Sequence, residues 1–136
     1  MARTPIRPDR VRSTRGGFAY LPNRFLHDGY FTTLSDGERS LYLFLVLAGD
    51  RNGVSYYGHE SICATLGVTR EAYLHQRSAL IAKDLIAFDG QRFQVLSLPA
   101  EPVMALARPL STEEDFERED PATIRQMIEA ELGRRR

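Results

Sequence analysis

The chain has 136 residues, 43% of them hydrophobic, with seven Phe, six Tyr and no Trp. That is room for one core with tails and the composition of a folded chain, which excludes intrinsic disorder and a second independent core. The formal net charge is zero, but residues 1–24 hold six Arg against one Asp while residues 101–131 hold nine acids against three Arg; a basic arm suits a phosphate-binding protein, since each phosphate contact releases counterions, and the acidic tail argues the other way.

The longest apolar run, residues 41–49, is far below the roughly 18 residues that a membrane span requires. The Arg-rich start is followed by no apolar h-region, so neither a membrane partner nor a secretory leader is expected. The single cysteine, Cys63, has no partner for an intrachain disulfide, which fits the cytoplasmic location expected here.

Residues 1–16 contain two prolines, five arginines and no hydrophobic period, the pattern of a disordered basic arm whose Arg12 and Arg15 would track a nucleic-acid groove. Residues 17–22 alternate briefly and read as an edge strand closed by Pro22. A helical turn or two follows, ending at Gly29. Ser35 and Glu38 form a capping box, so a helix is expected over 36–48. Its Leu41, Leu43, Phe44, Leu45, Val46 and Leu47 are apolar nearly all round, which makes it the expected spine of the core.

A Gly-Asp-Arg-Asn-Gly turn at 49–53 precedes a short strand at 54–57. The next helix, 60–66, places Ile62 and Leu66 on one face. Gly67 suits a left-handed turn, Val68 plugs the core and Thr69 caps a further helix over 70–83. Tyr73, Leu80 and either Leu74 or Ile81 are its expected buried stripe. Apolar runs at 85–88 and 92–98 flank Asp89-Gly90, a strong hairpin signal.

After Pro99 the chain turns acidic. Ser111 with Glu114 makes a second capping box and Asp120-Pro121 a further helix start. Ile124, Met127, Ile128 and Leu132 then recur at helical spacing, giving one apolar stripe assigned to dimerisation, or otherwise to packing on the domain. The expected architecture is α+β and mainly helical: a winged helix-turn-helix domain over 17–99, between the arm (1–16) and an acidic linker with a C-terminal amphipathic helix (100–136).

"ESICATLGVTREAYLHQRSALIAKDLI" (residues 60–86), together with "LPNRFL" and "LSDGERSLYLFLVLAGDRNG", resembles the amino-terminal winged-helix domains of plasmid and phage replication initiators and of primosome-loading proteins. The likeness covers about residues 18–98. It implies that Cys63 and Ala64 are the small residues of the scaffold helix, Gly67 the turn glycine, Val68 the plug and Thr69 the cap. It further implies that Arg70, Glu71, Leu74, His75 and Ser78 form the exposed face entering a DNA major groove. Asp89 to Arg92 would be the wing, with Arg92 on a phosphate or in the minor groove. Two positions depart from the pattern: Arg77 stands where the family has a core leucine, and Asp84 where it has a glycine. A buried Arg77 calls either for a carboxylate partner or for a rotated helix.

Enzymatic chemistry finds no support. His59 and Cys63 lie one helical turn apart, but no second ligand pair exists and a tetrahedral metal site needs four donors. Glu113, Glu114 and Asp115 sit at a helix start, where negative charge is favourable anyway. There is no phosphate-cradling glycine loop and no serine elbow, so no cofactor or metal is expected. The leading expectation is a small bacterial protein that binds double-stranded DNA as a homodimer, a transcriptional regulator or accessory replication factor. The alternative is a winged-helix module docking on a protein of a replication, transcription or immunity complex.

Overall fold

The computed structural model describes residues 3–104. They form four α-helices, α1 (Arg24–His27), α2 (Asp36–Ala48), α3 (His59–Leu66) and α4 (Arg70–Ala82), and three strands, β1 (Val54–Ser55), β2 (Ile86–Phe88) and β3 (Phe93–Val95). The strands make one antiparallel sheet in the order β1-β3-β2, so the described part is α+β and mainly helical.

Helix α2 begins where its local chemistry dictates. The Ser35 hydroxyl accepts from the Glu38 amide and the Glu38 carboxylate accepts from the Ser35 amide, each at 3.2 Å, satisfying two orphan donors at once. Leu41, Tyr42 and Leu45 are buried, whereas Leu43 and Leu47 are 49% and 66% exposed. The all-round spine is therefore corrected to a one-faced helix. Among the described residues α3, α4 and the sheet pack against α2 and leave its far side uncovered.

Residues 17–22 are not a strand. Phe18 and Tyr20, which alternation puts on one side, are 72% and 78% exposed, so the alternation buries nothing that would fix a register. β1 is also shorter than expected. Val54 pairs with Gln94 and Ser55 with Phe93; Tyr56 would next need Arg92, which lies in the hairpin turn outside β3. Gly53 holds the approach of β1 to β3: its φ is +80°, and a Cβ there would lie 2.7 Å from the Val95 carbonyl oxygen.

The β2–β3 hairpin forms at the Asp-Gly signal. Phe88 pairs with Phe93 and their rings stack at 4.3 Å. The Asp89 carboxylate accepts from the amides of Gln91 (2.9 Å) and Arg92 (2.6 Å), an Asx-type closure of the turn. Beyond β3 the chain is tied back to α1. Tyr30 donates its hydroxyl proton to the Pro99 carbonyl, and Arg24 Nη2 donates to Tyr30 Oη at 2.7 Å and to the Ala100 carbonyl at 3.1 Å.

Candidate nucleic-acid interface

The α3–α4 unit is built from three residues. Gly67 ends α3 with φ 69° and ψ 38°, the left-handed conformation glycine adopts without a Cβ clash. Val68 packs half-buried on the core. Thr69 is extended, and its hydroxyl accepts from the Ala72 amide at 3.1 Å. Thr69, Arg70 and Glu71 consequently stand exposed at the start of α4.

Further along α4 the buried arc is wide: Tyr73, Leu74, Arg77, Ala79 and Leu80 are all inside. Leu74, which helical period allowed in the buried stripe and the resemblance put on the exposed face, is 1% exposed and belongs to the core. α2, α3 and β2 all pack on α4, and cover from several directions buries Tyr73 and Leu74 together. His75 and Ser78 are half-buried. The open stripe of α4 is thus narrow, running from Glu71 past His75 and Ser78 to Ala82.

Most cations of this region are engaged internally. Lys83 Nζ donates to Glu38 Oε1 and to the Thr33 carbonyl, both at 2.6 Å. Arg92 Nε meets Asp89 Oδ2 at 2.9 Å across the hairpin turn, and that bond raises the guanidinium pKa. Burial pushes the Asp89 carboxyl up, but the bonds from the Arg92 and Gln91 amides and the Arg92 side chain outweigh it, leaving the group below its ordinary value. In the arm, Arg7 pairs with Asp9 at 2.8 Å. Arg3, Arg10, Arg12 and Arg15 are exposed.

Among the described residues Arg77 is fully buried without the carboxylate its burial called for, and no rotation of α4 brings it to the surface. Aromatic rings take the carboxylate's place. The guanidinium carbon lies 4.7 Å from the centroid of Phe88 and 5.3 Å from that of Tyr73. Nη1 donates to Tyr73 Oη at 3.4 Å, a long contact, while Nε and Nη2 have no acceptor among the described residues. At the other departure, Asp84 holds φ 61°, the left-handed region in which a glycine would be unstrained.

Cys63 packs half-buried beside the core. Burial pushes its thiol pKa up, more than nearby Arg70 lowers it, so it is a weak nucleophile. Among the described residues no group of His, Cys, Asp or Glu is arranged to hold a metal, and no helix is long and apolar enough to cross a membrane. The capping box at Ser111, the acids Glu113, Glu114 and Asp115, and the stripe of Ile124, Met127, Ile128 and Leu132 lie outside the described residues.

The sequence reading missed two features. One is the Lys83–Glu38 pair. The other is a cavity of about 390 Å³ between the β1–α3 connection, α4 and the hairpin; the only signal toward it was a charged residue at a core position of α4. Comparison with known protein families, with curated proteins and with solved structures finds no match to this chain.

Proposed function

We propose that residues 17–99 are a winged helix-turn-helix and that the protein binds double-stranded DNA through the start of α4. The observation that carries this reading is the exposed, capped first turn of α4, with Thr69, Arg70 and Glu71 projecting from a tight α3–Gly67–α4 unit. A β-hairpin follows in chain order. In this reading Arg70 and His75 meet base edges, and Glu71 accepts from a cytosine amine. The arm supplies charge: Arg3, Arg10, Arg12 and Arg15 are exposed and neutralise phosphates without regard to sequence. Dimerisation through residues 124–132 would double the contact, as suits a regulator or an accessory replication factor.

A second reading is favoured by one specific observation. Lys83 and Arg92 are tied to carboxylates of this chain and Arg77 is buried, so α4 and the hairpin present a mixed face, which suits docking on a protein better than on phosphates.

Fluorescence anisotropy with a mixed pool of duplex DNA, at about 50 and about 200 mM salt, separates the two. Binding that falls steeply with salt supports DNA; absence of binding at the lower salt, from folded protein, supports docking on a protein. For a selected site, Arg70→Ala should cost about 1–3 kcal/mol and relax sequence preference. Deleting residues 1–16 should weaken all sequences alike and flatten the salt slope.

A further inference from the structure

The cavity beside the hairpin has an unusual wall. Tyr56, Tyr57, Tyr73 and Phe88 line it, together with Gly90 and Gln91 of the hairpin turn. At about 390 Å³ it falls within the roughly 300–1,000 Å³ of small-molecule sites. Aromatic walls of this kind favour a flat, apolar ligand body.

Two independent features add positive potential. Gly58, the N-cap of α3, and His59, its first residue, also line the cavity, and that helix end carries no side-chain cap. Its first amides therefore retain their dipole end and open donors. Behind Tyr73 and Phe88 lies Arg77, 0% exposed, whose guanidinium rests on those same two rings. Tyr73 is the only hydrogen-bond partner of the Arg77 side chain among the described residues. Because its oxygen accepts from Arg77, its hydroxyl proton remains to be donated. A buried guanidinium with two unbonded nitrogens is costly unless a negative group comes close to it.

We propose that this cavity binds a small aromatic carboxylate, its ring between the tyrosines and Phe88 and its carboxylate accepting a hydrogen bond from the Tyr73 hydroxyl, with Arg77 behind that hydroxyl as the compensating charge. The site stands on its own geometry and holds whether α4 meets DNA or protein.

Thermal unfolding of the full chain tests this with benzoate, 4-hydroxybenzoate and phenylacetate, each against its neutral amide. At an excess of about tenfold over Kd an acid should raise Tm by about 5 °C or more, and its amide should not. Tyr73→Phe removes only the hydroxyl, and Arg77→Met removes the guanidinium with its hydrogen bond to Tyr73; both should remain folded and lose the acid's effect. In the unsubstituted protein the Arg77 Nε–H NMR resonance should move with acid and stay fixed with amide. No Tm shift with any of the three acids, equal shifts with acid and amide, or a shift retained in folded Tyr73→Phe and Arg77→Met would each overturn the proposal.

Discussion

Two cations of the α4 segment are removed from solvent in opposite ways. Lys83, just past the end of α4, reaches Glu38 and the Thr33 carbonyl at 2.6 Å each, and both partners of that ion pair are largely buried. Glu38 is at the same time half of the α2 capping box, so one carboxylate ties the start of α2 to the end of α4. Arg77, inside the helix, has among the described residues rings in place of a carboxylate and two nitrogens without acceptors. The first arrangement is a closed network. The second is open, satisfied in shape by Tyr73 and Phe88 but not in hydrogen bonding. Burial of a charge thus has no single meaning for stability; what matters is whether removing it strands a partner.

Substitution at these two positions should differ in sign. Lys83→Met strands Glu38 without its cation and should cost about 3 kcal/mol, read as the change in urea-unfolding free energy. A loss below about 1 kcal/mol would mean that water reaches Glu38 and the network is not closed. Arg77→Met strands no acid. Against each unbonded donor, worth about 1–3 kcal/mol of desolvation, stand ring contacts worth up to about 2 kcal/mol apiece, so the protein should be equally stable or gain about 1 kcal/mol. A loss matching that of Lys83→Met would show that the rings compensate the charge fully and would erase the contrast.

Asp84, next to Lys83, sharpens the comparison because it carries strain without charge burial. It is exposed and holds φ 61°, so Asp84→Gly should stabilise by about 1 kcal/mol. No change in Tm would mean that the aspartate side chain offsets its own backbone strain.

The smallest effect is expected at the hairpin, where a carboxylate and a guanidinium pair at the surface. The folded Asp89 pKa lies below its ordinary 3.8, so its contribution is complete above the unfolded value and is lost as pH falls through the folded one. The Gln91 and Arg92 amide resonances should hold steady at neutral pH and move only in acid below 3.8. In Asp89→Asn that acid transition should vanish. A transition near neutrality would contradict the assigned bonds.

Several elements were legible from residues alone because each signal acts over a few positions. The Ser35–Glu38 box, the Gly67 turn, the Thr69 cap and the Asp89-Gly90 hairpin all form as expected, their geometry being set by hydrogen bonds within three or four residues. Helical period allowed Leu74 in the buried stripe, where it lies, while the resemblance put it on the exposed face, and the uniform apolarity of α2 suggested burial on all sides that Leu43 and Leu47 do not have. Periodicity says which residues share a face but not how wide an arc the neighbours will cover.

The sequence by itself therefore determined the local order of helices, turns and hairpin, and only its likeness to winged-helix domains marked Arg77 as out of place. Only the tertiary structure decided what surrounds Arg77, that Lys83 answers Glu38, and that the β1–α3 connection, α4 and the hairpin leave a cavity among them. Those outcomes depend on contacts between residues as far apart as Glu38 and Lys83, and on which faces of α2 and α4 their neighbours cover. No local propensity encodes either, since both follow from how the whole chain fills the space around one core.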